Sequence, residues 1–513
     1  MRGQTHSLFM RCAIAAAHAG LAGLVIAFYV WTSISGRPAD FSPQYKGYYG
    51  RLSEAFLAGQ TFFLDSPPEE LKIAYDPYDP ASRGPRIGES PKYLHDVSYY
   101  KGKYYLYFGP VPSLVLGVPF KLITGFDYNE YLMPVVFCAG AYLLGLFIIL
   151  RLRRALAPNA SDLAVFAACL VYGLCGTQLF MLRRPSVYET SIASGFFFAL
   201  AAIWALLPVV LSVTTPRSKL TALAFGSMFL AFAVGSRHSY VLSLPPIAGV
   251  LWVAIGKKSG PVQGKPGRFA MAAAFVLPAT VLIGCLLAYN YVRFDSVLNT
   301  GHGYQLTSLK ADTYEFISLR FVPTNLYFNL FSPLSLKGDF PHFQAQTDPP
   351  EWLRPPVGYI GGENIMGVVT NIPILLLLVP GLALVMTRRL PATQQSATTL
   401  ALIAAPGAVN IALVMGYSHA TMRYLVDFLP FFLLCTAALY LMMASRFRFK
   451  TKARPWFYAL AAPLAIYSIL TNTAISLTGY LDDFRVNNPR AFSAIKQKTA
   501  GLTSLILPWD SMK

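Results

Sequence analysis

Long apolar stretches with almost no charged residues recur along the chain, separated by more polar segments. An α-helix rises 1.5 Å per residue, so about 20 apolar residues cross the hydrocarbon core of a bilayer. Eleven stretches are of roughly that length, and each predicts a membrane-spanning helix. They lie at approximately residues 13–34, 130–150, 162–181, 187–213, 219–236, 239–256, 269–290, 367–387, 398–416, 421–444 and 456–477.

A further apolar segment, residues 110–123, is shorter and contains Pro110, Pro112 and Pro119. Its length and its prolines favour a re-entrant or interfacial helix over a span. Counting it as a span would invert the sidedness of every later loop.

The composition supports the same class of protein. Charged residues make up 13% of the 513 residues and hydrophobic ones 55%, whereas soluble proteins carry about 25% charge. The 14% of aromatic residues excludes a disordered chain. We therefore predict an all-α polytopic membrane protein of about eleven spans, with a small extracytoplasmic domain of helices and loops.

The net charge of +18 comes from 42 Lys and Arg against 24 Asp and Glu. Basic residues mark cytoplasmic loops in membrane proteins, so this excess does not indicate nucleic acid. With the N-terminus inside, the predicted cytoplasmic segments hold 18 Lys and Arg, against four in the short turns on the opposite side. The asymmetry predicts a cytoplasmic N-terminus and an extracytoplasmic C-terminus.

These assignments divide the chain into six parts. They are an N-terminal span (1–34), a first extracytoplasmic loop (35–129), spans two to seven (130–290), a second extracytoplasmic loop (291–366), spans eight to eleven (367–477) and an extracytoplasmic tail (478–513). Both loops are dense in Tyr, Phe and Pro, so we expect them to pack against each other. The six cysteines lack a CxxC spacing and are expected to be small buried residues.

The first loop contains several candidate carboxylates. Residues 48–59 have apolar positions at helical spacing and predict an amphipathic helix, with Glu54 on its polar face. Asp76 and Asp79 each precede a proline, which is typical of turns. Together they could bind a divalent cation through oxygen ligands, and the alternative is a pair of Asx turns.

Later in this loop, His95 and Asp96 precede two aromatic runs joined by Lys101-Gly102. The pattern predicts a β-hairpin, with Lys103 in its second strand. His95 and Asp96 are an adjacent acid–base pair close to the membrane plane, and a surface pair is the alternative.

Ionisable residues also cluster at the predicted outer ends of the spans. Such groups are costly near hydrocarbon unless they are paired or line a cavity. Pairing of Arg423 with Asp427, one helical turn away, would account for part of the pattern. It does not explain why every cluster shares one side, so we predict an outward-facing polar cavity. Its candidate residues are Arg184, Glu189, Arg237, His238, Arg293, His419 and Arg423.

Arginines and tyrosines at this depth suit the phosphate of a lipid, and carboxylates suit activation of a hydroxyl nucleophile. The chain has no GxxxxGK[ST] motif and no HExxH motif, which argues against ATP-driven transport by this chain alone and against zinc proteolysis.

Three pieces of sequence together resemble the GT-C glycosyltransferase superfamily. They are YYGRLSEAFLAG (48–59), FGPVPSLVLGVPFKLITG (108–125) and the arginine-rich turn at 151–154. The chain is most similar to bacterial members related to protein mannosyltransferases and aminoarabinose transferases. The resemblance implies a polyprenyl-phosphate sugar donor, transfer at the outer face of the bacterial inner membrane, and a base shortly after the first span.

The family's aspartate precedes the amphipathic-helix tyrosine by four residues, and that position is Gln44 here. Asp40, Asp96 and Glu54 are therefore the candidates for the base. The predicted substrate-binding residues are His95, Lys103, Arg184, Glu189, Arg237, His238, Arg293, His419 and Arg423.

We predict transfer of a sugar to a glycan, lipid or protein acceptor of the cell envelope. The alternatives are a polymerase or ligase of lipid-linked glycans, a flippase or transporter of lipid-linked saccharides, and an inactive scaffold. A divalent cation at Asp76 and Asp79 is the one cofactor that the sequence offers.

Overall fold

The computed structural model describes residues 8–36, 47–83, 93–211, 215–256, 267–308, 310, 315–336, 340, 342–345, 348–390, 393–448, 452–478 and 483–506. Its α-helices, in chain order, are α1 (Leu8–Ser33), α2 (Tyr48–Leu57), α3 (Glu69–Lys72), α4 (Val118–Thr124), α5 (Met133–Leu156), α6 (Asp162–Leu174), α7 (Gln178–Arg183), α8 (Val187–Val210), α9 (Pro216–Ser236), α10 (Leu244–Gly256), α11 (Arg268–Phe294), α12 (Val322–Leu326), α13 (Val368–Asn371), α14 (Leu378–Met386), α15 (Gln394–Val414), α16 (Leu429–Phe447), α17 (Ala453–Thr478), α18 (Asp483–Asn487) and α19 (Pro489–Ile506).

Short strands and tight helices complete the described residues. The strands are β1 (Ser98–Tyr100), β2 (Lys103–Tyr105), β3 (Ser335–Leu336), β4 (Phe343–Gln344), β5 (Gly361–Glu363) and β6 (His419–Thr421). The pairs β1–β2 and β3–β4 are antiparallel, and β5–β6 is parallel. Ser113–Gly117 and Tyr327–Phe331 are π-helical, and 3₁₀ turns cover Glu130–Leu132, His238–Ser243, His302–Tyr304, Leu319–Phe321, Pro373–Leu377 and Met422–Asp427.

Nine helices within the described residues are long and apolar enough to cross a membrane. They coincide with nine of the eleven predicted spans. The chain is an all-α polytopic membrane protein, as the sequence predicted. The proline-rich segment forms a helical stretch of 12 residues, Ser113–Thr124, which is much shorter than a span.

The other two predicted spans are broken into shorter helices. In the stretch 162–181, α6 ends at Leu174 and α7 begins at Gln178, with Gly176 in the break. In the stretch 367–387, α13 ends at Asn371, one residue before the Ile372-Pro373 pair. A residue that precedes proline is disfavoured in the helical region, so the chain restarts there as a 3₁₀ turn followed by α14. The total of eleven spans remains a prediction.

The long helices pack around α8, most of whose residues are buried. Its neighbours include α5, α9, α10 and α15, while α11 lies outside α9 and leaves most of its surface exposed. Buried side chains of these helices form one continuous apolar core.

Hydrogen bonds join the loops that were predicted to share the cytoplasmic side. Arg448 donates to the Asn159 carbonyl at 3.0 Å, and Gln394 donates to the Val253 carbonyl at 3.1 Å. Arg268 donates to the Gly256 carbonyl at 2.9 Å, which joins the two ends of one such loop. The loops predicted to alternate along the chain therefore gather at one end of the bundle, which we call the basic end.

The two large loops meet at the opposite end, which we call the loop end. The hairpin β1–β2 forms with its turn at Lys101-Gly102, as predicted. The second loop runs beside this hairpin, because the Leu306 amide donates to the Val97 carbonyl at 2.9 Å. Leu306 joins a second buried apolar cluster with Tyr49, Phe63 and Val97 of the first loop.

Candidate functional site

A cavity of about 390 Å³ lies at the loop end of the bundle. Its walls come from the segments before β1 and after β2, the start of α8, the junction between α9 and α10, the second loop, and the region around β6. The polar side chains that line it include Asp96, Arg237, His238, His302, Gln305, His419 and Arg423. Four of the seven residues predicted for the polar cavity, namely Arg237, His238, His419 and Arg423, thus meet residues of both loops in one space.

Close backbone contact builds one wall of this cavity. A Cβ atom at Gly109 would lie 1.9 Å from the carbonyl oxygen of Gly235, at the end of α9. Only glycine allows the chain to pass at this distance. The contact brings Tyr107 and Phe108 into the same cavity lining as Arg237 and His238.

Asp96 is the carboxylate that the cavity holds among the predicted bases. Its backbone has a φ of 60°, and its amide donates to the Leu306 carbonyl at 2.8 Å. Gln305 Nε2 donates to Asp96 Oδ1. Burial raises the pKa of Asp96 to about 6, although hydrogen bonds from Gln305 and Tyr107 and the charge of Arg423 oppose the shift. The carboxyl can therefore exchange a proton near neutral pH.

Arg423 reaches the cavity from the 3₁₀ turn after β6. Its Nη1 lies 2.9 Å from Glu363 Oε2, and Arg184 Nη1 lies 3.2 Å from Glu363 Oε1. Parallel pairing of β5 with β6 places Glu363 opposite Thr421 and hence beside Arg423. One carboxylate from the second loop therefore bridges two of the predicted phosphate ligands, with Arg184 outside the lining.

Arg237 pairs with Asp427 inside the protein. Its Nε and Nη2 donate to Asp427 Oδ2 at 2.9 and 2.6 Å, and Asp427 is buried. The expected pair of Arg423 with Asp427 does not form. Residues 422–427 form a 3₁₀ turn, in which positions four apart do not share a face. Arg237 consequently stabilises the site as well as lining it.

Three histidines line the cavity, and two are held neutral. Burial and the charge of Arg423 lower the pKa of His419 to about 4. Burial also lowers the pKa of His302. The hydroxyl of Tyr424 lies 2.8 Å from His419 Nε2. The rings of His302 and His419 therefore offer uncharged donors and acceptors suited to the hydroxyls of a substrate.

The remaining predicted residues lie elsewhere. Asp40 lies outside the described residues. Glu54, on α2, accepts from Lys121 Nζ at 2.7 Å. The carbonyl of His95 accepts from the Tyr48 hydroxyl, and Lys103 lies over the Phe62 ring at 3.8 Å.

Two buried charged residues of the prediction also contact the protein rather than the cavity. Glu189 accepts from the Ser186 hydroxyl at the start of α8. Arg293 donates to the Leu106 carbonyl at 2.5 Å and to Asn290 Oδ1 at 2.7 Å. Arg293 thereby anchors the strand end that leads to Tyr107.

Asp76 and Asp79 form the two Asx turns of the alternative interpretation. Asp76 Oδ1 accepts from the Tyr78 amide and Asp79 Oδ1 from the Ala81 amide, both at 2.9 Å. Asp76 also pairs with Lys310 at 2.9 Å. Among the residues that the structure describes, no group of three or more His, Cys, Asp or Glu could hold a metal ion.

Sequence reasoning missed Tyr107, His302, Gln305 and Glu363. The last three belong to the second loop. His302 and Gln305 lie more than ten residues from a predicted span end, whereas Glu363 lies four residues before the span predicted at 367–387. His302 lies between two glycines, which is the one local signal that could have marked it. Gln305 and Glu363 carry no such signal, since their roles depend on contacts with residues 96, 184 and 423.

No family model and no curated protein matches the chain. Among solved structures it is similar to the oligosaccharyltransferase of Archaeoglobus fulgidus tethered to an acceptor peptide, with a TM-score of 0.47 and 14% identity over 90% of this chain and 55% of that one. It is also similar to the same organism's AglB with an inhibitory peptide and a dolichol-phosphate, with a TM-score of 0.45 and 14% identity over 92% and 57%. The chain spans about half the length of these proteins. A likeness of this size leaves the function to be argued from the residues of this chain.

Proposed function

We propose that this chain is a membrane glycosyltransferase that moves a sugar from a polyprenyl-phosphate donor to a cell-envelope acceptor, at the outer face of a bacterial inner membrane. One observation carries the proposal. A buried carboxyl with a pKa of about 6 and an arginine share a cavity at the end of the bundle where the two loops meet.

Asp96 would act as the general base. The acceptor hydroxyl attacks the anomeric carbon of the sugar while the bond from that carbon to the phosphate oxygen breaks. The hydroxyl proton passes to the carboxylate of Asp96, and the polyprenyl phosphate leaves with the bonding electron pair. A base works best when its pKa lies near the operating pH, and burial moves Asp96 in that direction.

Arg423 would bind the donor phosphate. Arg423 lines the cavity, and its guanidinium is positioned by the ring of Tyr188 and by the ion pair with Glu363. A planar guanidinium matches the geometry of phosphate oxygens. Arg184 is held next to it through Glu363. The neutral histidines and the rings of Tyr107 and Tyr424 would orient the sugar by hydrogen bonds and apolar contact.

The location of charged groups does not favour a flippase. In the described long helices, Asp, Glu, Lys and Arg occur only in the first turn or in the last two turns. A path for a saccharide headgroup would need polar groups along the full depth of the membrane.

Binding of undecaprenyl phosphate to the purified protein would test the proposal, because this carrier is common to donors of different sugars. We expect Arg423→Gln to weaken binding about 10-fold or more, since it removes a charge-assisted contact of about 1.5–3 kcal/mol. Arg320→Gln is the matched control: Arg320 is an exposed arginine of the second loop that pairs with Glu315 outside the cavity. Equal affinity in all three proteins, or no binding by the wild type, would refute the phosphate site.

A further inference from the structure

A second, mostly apolar groove of about 420 Å³ lies between α6, α16 and α17. Along α17 its lining extends from Arg454 to Ile469. Fifteen residues of helix rise about 22 Å, which is more than half of a hydrocarbon core about 30 Å thick. Leu163 and Ile466 on its walls are largely exposed, so the groove opens sideways towards the bilayer.

The polar part of this groove lies at the basic end. Ser161 caps α6 by accepting from the Ala164 amide, and Arg454 is in the first turn of α17. The N-terminus of α17 has a partial positive charge and meets Arg454 at this end of the lining, while the N-terminus of α6 carries Asp162, which pairs with Arg153. The concentration of positive charge at one end of an apolar groove is complementary to an amphiphile with an anionic head.

Other arginines nearby are already engaged. Arg153 pairs with Asp162 at 2.5 Å, and Arg448 donates to the Asn159 carbonyl. Within the part of the chain that the structure describes, Arg454 makes no ion pair and its side chain is exposed. Its charge remains available to an external anion.

We propose that this groove binds an anionic glycerophospholipid of the leaflet at the basic end, with its phosphate at Arg454 and its acyl chains along α6 and α17. The site is at the opposite end of the bundle from the Asp96 cavity, so it does not depend on the proposed function. A lipid there would fill the gap between α6 and α17 and stabilise their packing.

The test compares phosphatidylglycerol with phosphatidylcholine added to the full-length protein purified in detergent. Native mass spectrometry would measure the bound lipid, and thermal unfolding its effect. We expect the wild type to prefer phosphatidylglycerol and to gain thermal stability from it. Arg454→Gln should weaken phosphatidylglycerol binding about fivefold, which corresponds to about 1 kcal/mol for one basic residue at a membrane surface.

Two further variants separate the site from general surface charge. Ala462→Trp should block the acyl-chain part of the groove, because Ala462 is an exposed residue of its lining. Arg388→Gln should keep the preference, because Arg388 is an exposed arginine in another loop of the basic end. The inference is overturned if the wild type binds both lipids equally, or if Arg454→Gln and Arg388→Gln behave alike.

Discussion

The backbone of Asp96 lies in the left-handed region, which aspartate and asparagine tolerate better than most other residues. Asparagine in its place keeps the shape and the backbone conformation but cannot accept the acceptor's proton. We expect Asp96→Asn to fold and to lower turnover at least about 10²-fold, as is usual when a general base is removed. Asp76→Asn, in a half-buried Asx turn outside the cavity, should turn over like the wild type. A loss in Asp40→Asn but not in Asp96→Asn would transfer the role of base to Asp40.

The pKa of Asp96 also sets the pH dependence of the reaction. A base must be ionised to accept a proton, and the pKa of this carboxyl is about 6. We expect kcat/KM for the sugar donor to fall as the pH is lowered through about 6, with a slope of one proton. A profile that stays flat between pH 5 and pH 8 would contradict the assignment, as would the same acidic limb in Asp96→Asn.

The same shift has a consequence for stability. The pKa of Asp96 is about 6 in the folded state and about 3.8 in the unfolded state. Between these pH values the folded state binds more protons than the unfolded state, so the protein loses stability as the pH rises. Above pH 6 the ionised Asp96 lowers the free energy of unfolding by about 3 kcal/mol, because each pKa unit corresponds to about 1.36 kcal/mol. Asp96→Asn should therefore raise Tm at pH 7.5, and this gain should vanish below about pH 4.

Asp76 provides a control, because its pKa is shifted in the opposite direction from that of Asp96. The ion pair with Lys310 lowers the pKa of Asp76, so its contribution to stability is present above the usual pKa and is lost at lower pH. Asp76→Asn should not raise Tm at pH 7.5. Equal changes of Tm in the two variants would show that the effect comes from the amide and not from the buried charge.

Some residues of the site could be predicted and others could not. Asp96, His238, His419 and Arg423 are ionisable groups close to apolar segments, and the cost of placing them there marks them in the sequence. Gln305 lies 209 positions from Asp96 and is an ordinary loop residue until the fold brings the two together. The partner of Asp427 was wrongly predicted because a helical spacing was assumed where the chain forms a 3₁₀ turn.

At the scale of elements, hydropathy predicts where apolar helices lie but not where they break. The stretches 162–181 and 367–387 are apolar throughout, yet each is divided. Proline at 373 gives a physical reason that was visible in the sequence. The β-hairpin could be predicted because Lys101-Gly102 joins two aromatic runs, whereas the parallel pairing of β5 with β6 joins residues far apart and leaves no local pattern.

The contact between Gly109 and α9 gives a prediction at this scale. A side chain at position 109 would meet the carbonyl of Gly235, and backbone cannot move aside as a side chain can. We expect Gly109→Ala to lower the free energy of unfolding by about 1–3 kcal/mol, which is typical of overpacking. Gly249→Ala is the control, because a Cβ there has open space in α10. Thermal unfolding in detergent measures both, and equal Tm values would show that the hairpin does not dock as described.

At the scale of the whole molecule, charge along the sequence predicted which loops gather at the same end. The hydrogen bonds Arg448–Asn159 and Gln394–Val253 join loops that the positive-inside pattern had placed together. The pattern works because it depends on one cost per loop, the transfer of Lys and Arg across the membrane, and not on contacts within the fold. The orientation of the bundle in the membrane is a separate prediction, which needs its own experiment.

Cysteine labelling tests that orientation with two exposed positions at opposite ends of the molecule. Ser66 lies in the first loop and Gln394 at the start of α15, and both side chains are exposed. The background for the experiment is Cys12→Ser with Cys285→Ser, since the other four cysteines are buried. With the basic end in the cytoplasm, an impermeant thiol reagent should label Ser66→Cys in intact cells, after outer-membrane permeabilisation where needed, and Gln394→Cys only after lysis. The reverse pattern would invert the predicted topology and place the Asp96 cavity on the cytoplasmic side, where donors of the proposed kind would not be presented to it.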